Sequence, residues 1–270
     1  MLESGDTSSS SESGASSDSG VSRVSRVSGV SRVSRVSGVS GASGRGVSEP
    51  EGVVAKVGTS KFDGYSANQS MVDVDRLIAE KQAWSEGFER VMGLDEVGRG
   101  CLCGPVVAAG VIFSPEVKPP EGVRDSKTLS KEQRERLSKE IRESCLFWTV
   151  QIGTREEIDQ LNILRASLLA MQRCVEVAEP APDMLLIDGN QPLSILIPQQ
   201  TMVKGDDRSA TIAAASVLAK VYRDEWMMRL HEEFPQYGWD SNVGYPTRAH
   251  REALRAYGPT PHHRKSFKLL

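Results

Sequence analysis

Four carboxylates stand at positions where charge is seldom tolerated. Asp95 and Glu96 are adjacent inside the apolar run VMGLDEV at 91–97, and Asp188 and Asp206 lie at the ends of later apolar runs. If the chain folds these acids together, two of them about 4 Å apart repel by about 4 kcal/mol at an effective dielectric constant near 20. Such a cluster stays ionised only beside a counter-charge. The pattern therefore predicts a cation site.

The ligand chemistry favours Mg²⁺ or Mn²⁺, because oxygen ligands without nearby His or Cys are typical of these ions. Two such ions on carboxylates indicate phosphodiester hydrolysis, in which one ion activates water and the other stabilises the leaving oxygen. Taken singly, each acid has an alternative explanation. Asp188 before Gly189 is typical of a turn, and Asp206 or Asp207 is suited to cap a following helix. Adjacent strand residues face opposite sides, so at least one of Asp95 and Glu96 should be buried.

Hydrophobic patterns predict the elements that would position these acids. Five apolar, β-branched runs predict strands at 91–98, 104–113, 145–153, 184–189 and 200–207. Capping boxes at Ser130 and Thr154 predict two helix starts, and three- and four-residue spacing predicts an amphipathic helix from Ile163. Further helices are predicted at 72–89, 209–233 and 247–256. This order predicts a single α/β or α+β domain with a mixed five-stranded sheet flanked by helices and a C-terminal helical segment.

Composition divides the chain near residue 70. Residues 1–70 are rich in Ser, Gly and Val and contain the unit VSRVSRVSG at 21–29 and again at 30–38. Such a tract buries too little apolar area to offset the entropy of ordering, so we expect a disordered tail at 1–70 and a catalytic domain at 71–270. The tail holds seven acidic and seven basic residues, so the net charge of −3 belongs to 71–270. This mild acidity argues against binding nucleic acid through bulk positive charge alone.

The sequence predicts a cytoplasmic protein that does not enter a membrane. No apolar stretch follows a basic N-terminal start, and no apolar run approaches the roughly 18 residues of a membrane span. The four cysteines form no CxxC pair, so we expect reduced thiols rather than a structural zinc site. These cysteines are Cys101, Cys103, Cys145 and Cys174.

Nine segments, in this order, resemble motifs of the ribonuclease HII family across residues 90–268. They are GLDEVGRG, GPVVAAGVI, DSKTLS, IDQLNIL, LLIDGN, VKGD, IAAASVLAKVYRD, GYPT and HHRKSF. The resemblance implies a ribonuclease H-like fold and metal-dependent cleavage of RNA in RNA-DNA hybrids and at single ribonucleotides in duplex DNA. It also implies that two Mn²⁺ or Mg²⁺ ions are held by Asp95, Glu96, Asp188 and Asp206.

The same resemblance implies a set of substrate-binding residues. Gly98, Arg99 and Gly100 would bring backbone close to a sugar and a guanidinium to a phosphate, and Tyr245 would stack on the sugar that follows the ribonucleotide. Further phosphate or sugar contacts are assigned to Ser126, Lys127, Lys204 and Arg208. Read without the resemblance, the glycines are an ordinary turn, Tyr245 packs beside Pro246, and the cations are surface charges. Residues 247–270 carry six Lys or Arg against one acid, which suggests either a basic patch or a solvated helix face.

The interpretation is a monomeric endoribonuclease that cuts 5′ to the ribonucleotide and leaves a 3′-hydroxyl and a 5′-phosphate. One alternative is a two-metal nuclease or recombinase that acts on DNA alone. Another is a protein that binds hybrids without cutting them. The chain departs from many family members at Cys101, where they have Pro, and at Asn242 and Val243, where they have His and Lys. The second departure puts one backbone contact in doubt.

Overall fold

The computed structural model describes residues 76–270, so the predicted tail at 1–70 lies outside the described residues. The strands are β1 Val91–Val97, β2 Val106–Ile112, β3 Phe147–Gly153, β4 Met184–Asp188 and β5 Gln199–Met202. The helices are α1 Ile78–Ser85, α2 Lys131–Ser144, α3 Arg155–Leu161, α4 Ile163–Glu176, α5 Ala210–Glu233, α6 Trp239–Asn242 and α7 Arg248–Tyr257. Short 3-10 turns occupy Ser126–Thr128, Gly205–Asp207 and Pro235–Tyr237.

The five strands form one mixed sheet in the order β3-β2-β1-β4-β5, which confirms the predicted sheet. The first three strands are antiparallel neighbours, whereas β1 pairs in parallel with β4, and β4 with β5. Leu94 of β1 lies opposite Ile187 of β4. The residues that follow this pair are Asp95 and Asp188, so the register places two of the predicted acids at the same edge of the sheet.

Alternation along the strands sends side chains into two apolar layers. On β2, Val107 and Val111 pack with α5, while Ala108 and Ile112 pack on the opposite face with α4. The early turns of α5, ATIAAASVLA, are buried and consist largely of small side chains, which lets this helix lie close to the sheet. The closest approach is at Gly93, where an added Cβ would lie 2.3 Å from the Thr211 carbonyl carbon.

The helix starts follow the predicted capping chemistry. The Gln133 amide donates to the Ser130 hydroxyl, and the Glu157 amide donates to the Thr154 hydroxyl. In turn, the side chains of Gln133 and Glu157 accept from the Ser130 and Thr154 amides, so both capping boxes are confirmed. At α5 the cap is Ser209, whose hydroxyl accepts from the Ile212 amide. Asp206 and Asp207 therefore do not cap this helix, and the cap explanation for Asp206 is wrong.

Two predicted boundaries are also wrong. The strand predicted at 200–207 ends at Met202, because Lys204 has a left-handed backbone with φ of 57° that turns the chain away from the sheet. Asp206 consequently lies in a 3-10 turn rather than at a strand end. The helix predicted at 72–89 is limited to Ile78–Ser85 within the described part of the chain. Among the helices of residues 76–270, none combines the length and apolar composition needed to cross a bilayer.

Candidate active site

The structure brings the four predicted acids together at one edge of the sheet. Asp95 lies near the end of β1 on the α5 side and is only 5% exposed, whereas Glu96 is partly exposed. Asp188 ends β4, and its Oδ1 accepts a 2.8 Å hydrogen bond from the Gly205 amide. That bond ties the end of β4 to the turn that carries Asp206, which is 6% exposed.

The acids perturb one another as a tight cluster should. Burial raises the pKa of Asp95 well above its usual range, and the charges of Glu96 and Asp188 raise it further. Burial also raises the pKa of Asp206 to about 6, with the charge of Asp125 as the next cause. For Glu96, burial raises the pKa despite its ion pair with Arg99. The cluster is therefore short of positive charge.

Serine hydroxyls support the most buried acid. Ser216 of α5 donates a hydrogen bond to Asp95, which opposes the rise in its pKa, and the Glu96 amide donates to Asp95 Oδ1 at 2.7 Å. The Ser216 hydroxyl also lies 2.9 Å from that of Ser126. Ser126, predicted to touch substrate, is only 3% exposed and contacts Ser216 instead of facing open solvent. Ser216 itself was missed, because a serine among alanines suggests only close helix packing.

Two side-chain cations border the acids. Lys127 Nζ lies 3.7 Å from Asp206 Oδ2 and 3.8 Å from Asp125 Oδ1, and Arg99 Nη1 lies 3.0 Å from Glu96 Oε1. Burial lowers the pKa of Lys127, but the charges of Asp125 and Asp206 outweigh it and leave that pKa raised. Lys204 and Arg208 are exposed on either side of the Asp206 turn, so a phosphate role for them stays a prediction.

The donor set fits divalent cations. It consists only of carboxylate oxygens on three adjoining segments, and burial together with neighbouring negative charge raises the pKa values of Asp95, Glu96 and Asp206. Such an all-oxygen set suits Mg²⁺ or Mn²⁺. The residues that would hold these ions are Asp95, Glu96, Asp188 and Asp206.

One buried arginine, Arg264, holds the loop 98–100, which follows β1, and a second, Arg223, holds backbone next to it. Arg264 donates to the carbonyl oxygens of Gly98 and Arg99 at 2.7 and 3.0 Å, and Arg223 donates to the Val243 carbonyl at 2.8 Å. Both guanidinium groups belong to residues with 0% exposure. Arg264 was predicted to belong to a basic patch or solvated face at 247–270, and at this position that prediction is wrong. The Arg264 side chain faces inward because it donates four hydrogen bonds to backbone carbonyls.

Tyr245 lies beside the same loop. A Cβ added to Gly100 would lie 3.8 Å from Tyr245 Cε1, and the Leu102 amide donates to the Gly244 carbonyl at 2.8 Å. Tyr245 is 40% exposed, so part of the residue is accessible to a ligand. The predicted recognition residues Gly100 and Tyr245 are thus neighbours.

A second cluster of potential ligands lies away from the acids. One ligand atom each of Cys103, His250 and His263 lie within 4.8 Å of one another, and all three residues are buried. The Thr260 amide donates to His263 Nδ1 at 2.9 Å, so the ring proton of neutral His263 is on Nε2 and is directed at His250 Nε2, 3.1 Å away. His250 Nε2 also accepts from the Trp239 indole at 3.1 Å. These bonds occupy the nitrogen lone pairs that a metal would need.

Burial and the neighbouring His250 and His262 lower the pKa of His263 to about 4. The unfolded chain binds this proton near pH 6.5, so stability should fall as pH drops from 6.5 towards 4, by about 3 kcal/mol in total at about 1.4 kcal/mol per pKa unit. Urea unfolding at several pH values would measure the slope. His263→Gln is the control. If the free energy of unfolding of this variant changes with pH as steeply as that of the wild type, His263 makes no contribution.

The mixed five-stranded sheet flanked by helices defines the ribonuclease H-like class of fold. A family model described as Ribonuclease HII matches residues 92–270. The chain belongs to the ribonuclease HII family, so it is an endonuclease that hydrolyses phosphodiester bonds with the help of divalent metal.

Individual relatives agree with this assignment. A Ribonuclease HII of Salinibacter ruber is 50% identical over 198 residues, which cover 72% of this chain and 98% of that protein. The solved PCNA:RNase HII complex from Archaeoglobus fulgidus is similar with a TM-score of 0.56 and 28% identity, covering 67% of this chain and 96% of that one. Bst-RNase HIII, solved in complex with Mn²⁺, shares the fold with a TM-score of 0.52 and 22% identity, covering 72% and 70%.

Proposed function

We propose that this enzyme hydrolyses the RNA strand of RNA-DNA hybrids and cuts duplex DNA 5′ to single ribonucleotides, using two Mn²⁺ or Mg²⁺ ions. The observation that carries the proposal is the juxtaposition of the buried acids with the loop 98–100. Glu96 is three residues before Arg99, and the two side chains form an ion pair. A phosphate that displaces Glu96 from this pair would be bound by Arg99 and would lie beside both the acids and the loop.

The acids and their neighbours have distinct tasks in this mechanism. Asp95, Glu96, Asp188 and Asp206 would hold the ions, which supply charge neutralisation and a more acidic water. The Gly205 amide holds the Asp188 carboxylate, and Ser216 holds that of Asp95, so both keep a fixed direction. Water made more acidic by such ions would be the nucleophile, so no covalent enzyme intermediate is expected, and the products would carry a 3′-hydroxyl and a 5′-phosphate.

Recognition of the ribonucleotide falls to the loop 98–100 and Tyr245. The 2′-hydroxyl distinguishes RNA from DNA, and it can both donate to and accept from backbone peptide groups. Gly100 is exposed and lacks a side chain, so its backbone can approach a sugar beside the Tyr245 ring. Arg264 fixes the Gly98 and Arg99 carbonyls, which keeps the loop in one conformation.

Tyr245 gives the most direct test of junction recognition. Stacking of this kind contributes about 1 to 3 kcal/mol, so Tyr245→Ala should lower kcat/KM on a one-ribonucleotide duplex by about 5- to 150-fold. Tyr245→Phe keeps the ring and should lose much less. Initial rates on fluorescent duplexes would measure both variants. An unchanged kcat/KM for Tyr245→Ala would contradict the stacking role.

The same duplexes separate the alternatives. A nuclease or recombinase for DNA would cut an all-DNA control as fast as the one-ribonucleotide duplex. A protein that only binds hybrids would retain the duplex in a gel shift without cutting it in Mn²⁺ or Mg²⁺. The proposed enzyme cuts only the ribonucleotide-containing duplex and stops when EDTA is added. We also propose that it acts as a monomer in the cytoplasm, which light scattering and cell fractionation would test.

A further inference from the structure

Glu80 of α1 is a buried carboxylate that the nuclease chemistry does not use. It has 0% exposure and lies before residues 92–270, the part matched by the family model. Its Oε1 accepts three hydrogen bonds, from the Ser209 hydroxyl at 2.6 Å, the Thr211 hydroxyl at 2.7 Å and the Thr211 amide at 2.9 Å. Burying a carboxylate is costly unless several donors satisfy it. These donors therefore hold Glu80 to the start of α5.

The segment that Glu80 holds adjoins the turn of Asp206. Ser209 comes three residues after Asp206 and caps α5. Arg76, just before α1, accepts a 2.8 Å hydrogen bond from the Ala210 amide and directs its guanidinium at the Asp206 carbonyl, 3.4 Å away. Residues 76–80 thus hold the chain on one side of Asp206, while the Gly205 amide is bonded to Asp188 on the other.

The same contacts reach β1. Gly93 packs against Thr211. A Cβ added to Gly93 would lie 2.3 Å from the Thr211 carbonyl carbon, so no larger residue fits there. Gly93 lies two residues before Asp95 and on the same face of the strand. Thr211 is therefore fixed between Glu80 and the strand that carries Asp95. The position of Thr211 therefore affects the distance between β1, which carries Asp95, and the turn that carries Asp206.

We propose that Glu80 is a positioning residue for the metal site, because it fixes the start of α5 and so sets the spacing between Asp95 and Asp206. This inference rests on the proposed metal role of those two acids.

Mn²⁺ binding to the full chain tests the proposal independently of cleavage. The free-Mn²⁺ signal in electron paramagnetic resonance gives Kd for wild type, Glu80→Ala, Glu80→Gln and Asp206→Asn. We expect Glu80→Ala to raise Kd at least fivefold and to lower cleavage at limiting Mn²⁺, with kcat recovering at saturating Mn²⁺. Glu80→Gln should raise Kd less than Glu80→Ala, because its amide oxygen can still accept all three bonds. Thr154→Ala, which removes the cap of α3, is the control for a general loss of stability.

The outcomes distinguish a failure of the positioning role of Glu80 from a failure of the proposed metal site. If Asp206→Asn loses Mn²⁺ but Glu80→Ala binds it like the wild type, the positioning role is wrong and the metal site stands. If the wild type binds no Mn²⁺, or Asp206→Asn binds it equally well, the proposed metal site is wrong. If Glu80→Ala does not fold, Thr211→Val removes one donor to Glu80 with little change of shape. A Kd for Thr211→Val equal to that of Thr154→Ala would then overturn the proposal.

Discussion

Asp95→Asn is expected to lower cleavage by about 1,000-fold or more and, in metal-free protein, to raise the melting temperature. The activity falls because a charged metal ligand of the buried cluster is lost, and metal-ion catalysis contributes several kcal/mol, at about 1.4 kcal/mol for each tenfold change in rate. The stability rises because burial and the charges of Glu96 and Asp188 disfavour the ionised carboxylate. Asn retains an oxygen that can accept from the Glu96 amide.

The sign of the stability change follows from the raised pKa of Asp95. In the range between the unfolded pKa, near 4, and the higher folded pKa, the folded state binds more protons than the unfolded state, so stability falls as pH rises. At neutral pH the raised pKa of Asp95 therefore lowers the stability of the metal-free protein, and Asn removes that effect. A gain of about 1 kcal/mol corresponds to about 2 to 4 °C for a domain of this size.

Calorimetry in EDTA and cleavage in Mn²⁺ measure the two effects. The matched control is Asp207→Asn, the same change at an exposed acid beside Asp206, which should alter neither quantity much. Full activity of Asp95→Asn in Mn²⁺ would refute the metal role of this residue. A lower melting temperature in EDTA would refute the argument from charge repulsion.

Gly98→Ala should destabilise the fold and impair cleavage together. Gly98 has φ of 96°, and an added Cβ would lie 2.2 Å from Arg223 Nε. Arg223 cannot move aside cheaply, because hydrogen bonds to the Cys103, Pro105 and Val243 carbonyls hold its guanidinium. Backbone strain and overpacking each cost about 1 to 3 kcal/mol, so we expect a loss of about 3 kcal/mol or more. The displaced loop should lower kcat/KM by at least about 100-fold, since small misplacements at an active site have effects of this size.

The chain offers a matched control for this substitution. Gly122 also has a positive φ, 87°, but an added Cβ there would meet nothing within 4 Å. Gly122→Ala therefore isolates the backbone strain and should leave cleavage unchanged. Urea unfolding and initial cleavage rates measure both variants. If Gly98→Ala loses no more stability than Gly122→Ala, the close contact with Arg223 has no energetic consequence.

The sheet and the acids of β1 and β4 could be predicted from the sequence because both signals are local. Charge inside an apolar strand is conspicuous at Asp95 and Glu96, and strand alternation already requires one of them to be buried. Asp206 was predicted as an acid of the site but assigned to the wrong element. The left-handed backbone at Lys204 ends β5 early. A lysine does not indicate a left-handed conformation in the sequence, so this turn could not be predicted.

The supports of the site could not be predicted, because their partners are distant in the chain and are mostly backbone. Arg264 bonds to the Gly98 carbonyl across 166 residues, and Glu80 bonds to Thr211 across 131. An arginine near the end of a chain indicates surface charge unless its acceptors are known. A carbonyl acceptor has no residue type, so nothing in the sequence marks it. Ser216 differs from these residues, because its partner is the side chain of Asp95 and not a backbone carbonyl.

The hydrogen bond from Arg264 to the Gly98 carbonyl has a consequence for the newly synthesised chain. Translation produces every acid of the cluster well before residue 264 leaves the ribosome. A nascent polypeptide in the act of being made therefore has its carboxylates but not the guanidinium that shapes the neighbouring loop. We expect a nascent chain whose residue 264 is still inside the ribosome to be unable to cut nucleic acid at a ribonucleotide.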